Sequence, residues 1–187
     1  MSNSMQLIDE AQAAFDCGNW KLAKQLFEEA DGQGSDQAAL MLGWIYESGW
    51  NVPVDIDAAL LCYRRAAVRG SSQGGFYLGR KLLEMGHYDE ALHFLRSAAN
   101  TEPAAAHTLG RCTELPLAER LFWLDKGVDL GNVYCLALSG RLLLRQSPFI
   151  NLPKAIWRIA SSFAITTFVG ISYKNASDLK EDKRFQK

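Results

Sequence analysis

Ala23, Phe27, Ala30 and Gly34 are matched, 36 residues later at every position, by Ala59, Tyr63, Ala66 and Gly70. Small, aromatic, small and glycine at spacings of four, three and four fall along one face of a helix, where only small residues allow a second helix to approach closely. Around the second copy the chain reads as helix, loop, helix. Leu42, Gly43 and Tyr46 mark the first helix, Gly49 to Pro53 the loop, and Ala59 to Ala67 the second helix. Pro53 cannot sit inside a helix, and Gly49 can take the left-handed geometry that closes one. One hairpin of this kind cannot bury its own apolar surface, so copies must stack.

The flanking sequence supplies the copies. A first hairpin, about 5–34, carries Leu7, Ala11, Ala14 and Phe15, then a Gly18-Asn19 turn. The central copy spans 35–70, with Asp36 in the first turn or at the cap of its first helix and Asp55 capping its second. A third, 71–101, has Leu78-Gly79 and Leu82, a Gly86-His87 turn, then Ala91, Leu95 and Ala98, and Pro103 opens the next helix. The fourth, 102–131, is degraded: Pro116 forces a compact turn, and Gly127 replaces an expected alanine. That costs roughly 0.5–1 kcal/mol of helix propensity unless a very close contact needs it. A fifth, 132–170, has Leu136, Gly140 and Leu143, a loop to Pro153, and a second helix through Ala155 and Trp157. Residues 171–187 form a charged tail.

These residues resemble the Sel1-like repeat, a subclass of tetratricopeptide-type helical repeats. Leu42-Gly43, Tyr46, Gly49, Val52, Asp55, Ala59, Tyr63, Ala66-Ala67 and Gly70 meet that family's pattern almost position by position, with Asn51 where a second loop glycine is usual. The third copy is closer to the shorter tetratricopeptide form. The resemblance implies an all-α, right-handed α-α superhelix, a solenoid of about five hairpins whose first helices line a concave groove. It also implies a non-enzymatic adaptor that binds a protein segment there. In bacteria, similar proteins are tied to envelope, exopolysaccharide or virulence processes; eukaryotic relatives act in protein quality control at a membrane.

In that register the first-helix positions left over by internal packing are Gln37, Leu40, Trp44 and Glu47, then Gln73, Phe76, Arg80 and Leu83 one repeat on. His107 and Arg111 follow in the fourth copy and Arg141 in the fifth. Aromatic side chains beside arginine are what a protein-binding hot spot contains. Gln37, Trp44, Glu47, Gln73, Phe76, Arg80 and Arg111 are therefore the candidate groove residues. A second reading of Trp44 and Phe76 is that they wedge neighbouring repeats together, and of the two arginines that they are solvated surface charges. Trp50, in the loop, either packs on the next hairpin or stands out on the repeat edge.

Chemistry has no starting residue. His87, His93 and His107 lack metal-ligand spacing, and there is no phosphate-binding glycine loop and no nucleophile elbow. No enzyme activity, cofactor or metal is expected. A net charge of -1 argues against a dedicated nucleic-acid binder. Cys17, Cys62, Cys112 and Cys135 are scattered one to a hairpin and read as reduced fillers of helix interfaces, a disulfide scaffold being the alternative. The first residues, MSNSMQLIDEAQAAF, lack the pattern of a secretory signal, so a cytoplasmic location is expected.

The alternative function is a membrane-associated assembly or regulatory factor, attached through the apolar segment 155–173. Within it, 159–173 (IASSFAITTFVGISY) is uncharged and apolar on nearly all sides. It reads as a cap on the solenoid, as a docking or interfacial helix presenting Phe163, Phe168 and Ile171 to a partner or membrane surface, or as a short span.

Overall fold

The computed structural model describes residues 2–50, 52–146, 153–162 and 164. They form α1 (Ser2–Asp16), α2 (Trp20–Gly32), α3 (Asp36–Ser48), α4 (Ile56–Val68), α5 (Ser72–Glu84), α6 (Tyr88–Ala98), α7 (Pro103–Arg111), α8 (Leu117–Asp129), α9 (Val133–Gln146) and α10 (153–162). Among the described residues there is no strand. Contacts divide the chain into two compact units, 1–105 and 106–187.

In the first unit α1/α2, α3/α4 and α5/α6 pair as antiparallel hairpins, and α2 packs on α3 and α4 on α5. Helix starts follow local chemistry. Asn19, Ser35, Asp55 and Ser71 each accept a hydrogen bond from the backbone N–H three residues on, satisfying a donor that has no partner inside the helix. Asn19 and Asp55 stand 36 residues apart, as do Ser35 and Ser71, so the caps repeat with the core. Ser35, not Asp36, is the cap of α3. Gly49 ends that helix with φ +72°, and a Cβ there would lie 2.7 Å from Val54 Cγ2.

What holds the α3/α4 and α5/α6 hairpins at close range is a glycine on the first helix that receives a bulky side chain from the second. In α3/α4 an added Cβ on Gly43 would meet the Tyr63 ring at 2.3 Å, and in α5/α6 one on Gly79 would meet Leu95 at 2.6 Å. Ala11 stands sixteen residues before Phe27, as Gly79 does before Leu95, and both Ala11 and Phe27 are fully buried. Successive hairpins are joined by the same small-residue logic, since a Cβ on Gly74 would lie 2.6 Å from Ala66 Cβ. An ionic clamp adds to it: Asp31 at the end of α2 accepts from Arg65 of α4 and from Arg69, which caps that helix. Trp50 packs on the preceding hairpin, not the next one. Its ring is stacked 5.8 Å from Trp20 and lies edge-on to Phe15 at 4.9 Å.

The second unit reuses the device. A Cβ on Gly110 would meet Leu124 at 2.3 Å, and one on Gly140 would meet Ile159 at 2.8 Å. Gly127 is explained by a close contact: a Cβ there would lie 2.5 Å from Cys135 Sγ, so α9 approaches α8 where alanine would not fit. Helix propensity is given up for packing. Ala155 of α10 is fully buried, and Arg158 pairs with Asp125 of α8 at 2.6 Å with its side chain only 12% exposed.

Candidate protein-binding face

Helices α3 and α5 lie side by side in the first unit, and the face they share carries most of the candidate groove residues. Gln37, Trp44 and Glu47 follow one another along α3 at helical spacing; Gln73, Phe76 and Arg80 do so along α5. Gln37 and Gln73 are exposed, and Phe76 and Arg80 half-buried.

Glu47 is the ionic centre. One carboxylate oxygen, Oε1, accepts from Arg80 Nη2 at 3.0 Å and from Lys81 Nζ at 2.8 Å; the other, Oε2, accepts the Tyr63 hydroxyl at 2.6 Å. Burial works against its charge, but the hydrogen bonds from Lys81 and Tyr63 and the positive charges of Arg80 and Lys81 outweigh it. The net effect holds Glu47 below the ordinary carboxylate range. Lys81, hydrogen-bonded to Glu47 and Glu84, is correspondingly raised. Burial and the adjacent carboxylate keep the Tyr63 phenol protonated far above its usual range.

Tyr77 is the aromatic centre. Its ring stacks on Tyr63 at 5.5 Å, meets Trp44 edge-on at 5.3 Å and Phe76 at 5.1 Å, and carries the Arg80 guanidinium 5.0 Å above its centroid. Arg80 also lies over Phe76 at 5.9 Å. Its cation is therefore held from two sides, by a carboxylate and by aromatic faces, so little side-chain freedom remains to be lost on contact. Trp44 Nε1 and Arg80 Nε are buried and complete no hydrogen bond among the described residues.

One expectation, for Leu40, is corrected here, and the surroundings of Trp44 and Glu47 are placed. Leu40 does not stand clear of the packing: it is 5% exposed, inside the core. Trp44 packs against the cores on both sides of α3, which is the wedging arrangement. Glu47 is engaged within the unit by Tyr63, Arg80 and Lys81. The physical reason is shared, because α3 has neighbours on both flanks and little of its circumference is left for solvent. Tyr77 and Lys81 were not singled out from sequence, although Tyr77, Arg80, Lys81 and Glu84 fall at i, i+3, i+4 and i+7, one stripe beside the one selected.

In the second unit Arg111 is exposed at the end of α7, and Arg141 is exposed on α9. His107 is half-buried; burial and the nearby Arg111 charge lower its pKa, so it is neutral at neutral pH. Phe163, Phe168 and Ile171 lie outside the described residues. Among those described, no group of His, Cys, Asp and Glu could hold a metal ion, and no helix is long and apolar enough to cross a membrane.

No protein-family model and no curated protein matches the chain. Solved structures do. A Sel1 repeat protein from Oxalobacter formigenes superposes with a TM-score of 0.67 and 21% identity over 74% of this chain. The protective antigen c5321 of uropathogenic Escherichia coli, which displays the same repeat fold, does so with a TM-score of 0.66 and 23% identity over 86%. The chain has the Sel1-like repeat fold. It spans 62% and 41% of those two proteins, respectively. The helical hairpins expected from the repeat pattern are thus the architecture of the described residues in each unit, and the glycine-to-bulky-residue contacts described above are how this chain builds them.

Proposed function

We propose that this Sel1-like repeat chain is a non-enzymatic adaptor that binds a segment of a partner protein along the α3/α5 face. The observation that carries the reading is the pre-positioned Arg80, held over Phe76 and Tyr77 and braced by Glu47, with Gln37 and Gln73 exposed along the same two helices. Aromatic surface with a constrained arginine offers contact area at low entropic cost. Phe76 is the anchor and Trp44 supports it from within, through Tyr77. The partner is a protein rather than a nucleic acid, since the chain carries no positive excess. Assembly of an envelope or polysaccharide-related complex is the setting that the family resemblance favours, and a cytoplasmic location is part of the same reading.

A photo-crosslinking amino acid placed at Gln37 or Gln73, compared with one at Leu61 or Val68 on exposed α4 positions, tests it in cells that express the protein. The expected outcome is one partner polypeptide captured from the first two positions and not from α4. Phe76→Ala should weaken that capture about tenfold or more, the scale of a hot-spot truncation. Capture from α4 alone, or capture indifferent to Phe76→Ala, overturns the reading.

A further inference from the structure

The loop between α3 and α4 carries Trp50, Val52, Pro53 and Val54, apolar residues in a segment where polar ones are the rule. Trp50 is 36% exposed and Val54 59% exposed. Against α2 this loop walls two clefts, of about 320 and 440 Å³, that share Lys24 and Val52 and so adjoin as one furrow. Trp20 and Trp50 line the first, with Lys21 and Gln25; Tyr46, Pro53 and Val54 line the second, with Asp57. The walls are held in place. Phe15 meets both indoles edge-on, at 4.7 and 4.9 Å, and Lys24, at the junction, is bonded to Glu28 at 3.1 Å and lies 5.2 Å from the centroid of the Tyr46 ring. Charge is sorted as well. Asp55 is taken up by the cap of α4 and Glu28 by Lys24, which leaves Lys21 in the tryptophan cleft and Asp57 in the other. Both are exposed, and neither makes an ion pair among the described residues.

We infer that this furrow seats an extended, proline-containing segment of a partner protein, with a carboxylate for Lys21 and, beyond the prolines, a cation for Asp57. Proline suits the tryptophan cleft. A polyproline II segment is rigid before it binds, docks on aromatic walls and carries no N–H on its prolines to strip of water. The furrow is ordered too, so little conformational freedom is lost on either side. Opposite free charges in the two clefts favour a chain bearing both signs. A neutral sugar has no charge to place there, and the phosphates of a nucleic acid would meet Asp57 as well as Lys21. The same charges fix which end of the segment each cleft receives. None of these residues is among those of the α3/α5 face, so the inference stands apart from the function proposed above.

The test is an array of fluorescein-labelled peptides titrated onto the full chain and followed by fluorescence anisotropy. Each has a glutamate and a lysine flanking two to six prolines, in both orders, covering roughly 6–19 Å of polyproline II. At least one should bind about tenfold more tightly than its counterpart with serine and glycine in place of proline. Trp50→Ala should weaken that binding about tenfold, the scale of a hot-spot truncation, whereas Val68→Ser, exposed on α4, should leave it unchanged. Because Trp50 also packs on Phe15 and Trp20, a second variant alters exposed charge alone. Lys21→Glu with Asp57→Lys should reverse which peptide order binds more tightly. An array without a proline preference, an order preference that survives the charge reversal, or Trp50→Ala binding at parental strength overturns the inference. Trp50-dependent binding of maltohexaose in place of the peptides would assign the furrow to a sugar and overturns it too.

Discussion

Replacing Gly43 by alanine is the sharpest test of the packing device that shapes the hairpins. An ideal Cβ at this position stands 2.3 Å from Tyr63 Cε1, 2.5 Å from Cδ1 and 2.9 Å from Cζ. Ordinary carbon contacts lie at about 3.5–4.0 Å, so the ring would have to retreat by about 1 Å. It has little freedom to do so. Tyr63 is fully buried, its ring is stacked on Tyr77, and its hydroxyl is tied to Glu47 at 2.6 Å. Overpacking of this kind costs about 1–3 kcal/mol, and loss of the Tyr63 hydrogen bond about 1 kcal/mol more. Alanine returns about 1 kcal/mol of helix propensity. The net expectation is destabilisation by about 1–3 kcal/mol, read as a fall in urea midpoint of about 0.5–1.5 M for a slope near 2 kcal/mol/M, followed by far-ultraviolet circular dichroism. Gly32→Ala is the internal control. It offers the same change of residue in a helix but has no atom within 4 Å of the added Cβ, so it should raise the midpoint. In a Tyr63→Ala background the Gly43→Ala penalty should disappear. A Gly43→Ala chain as stable as the parent would refute close approach as the reason for glycine here.

Two further outcomes follow from the electrostatics. Glu47 has a folded pKa below its ordinary 4.5, so its contribution to stability is present above that value and is lost as pH falls through the folded pKa. Glu47→Gln should therefore lower stability at neutral pH by about 1 kcal/mol or less, because the site is partly solvated, and flatten the acid limb of a stability-against-pH curve; an acid limb identical to the parent's would rule Glu47 out as its source. Of the four thiols, Cys17 is exposed, whereas burial raises Cys62, Cys112 and Cys135, the last to about 12. An aromatic disulfide reagent should titrate one thiol rapidly in the native protein and four in urea, and rapid reaction at a second native thiol would contradict the burial of the other three.

Much of the local structure could be read from the chain before any coordinates. The Gly49 helix end, the Asp55 cap, the Gly86-His87 turn and Pro103 at the start of α7 are dictated by backbone geometry within a few residues, and each is found where expected. The candidate face was less legible. Helical spacing placed Trp44, Glu47, Phe76 and Arg80 on corresponding stripes of α3 and α5, but it could not tell that Trp44 is wedged between two cores. Nor could it tell that Glu47 is consumed by Tyr63, Arg80 and Lys81. Those partners lie between 16 and 34 residues away in sequence, beyond the reach of any local pattern.

The sequence by itself determined the repeat, the hairpin and the family likeness, because small residues, caps and turn formers act through neighbouring backbone and recur at a 36-residue offset. Only the tertiary structure decided which side chains the packing leaves available. Exposure depends on what the neighbouring helices bring, as Leu40, Trp44 and Glu47 show along α3. Gly127 shows the same division: its helix cost is legible in the chain, while its reason, the sulfur of Cys135 at 2.5 Å from a missing Cβ, exists only once α8 and α9 have met.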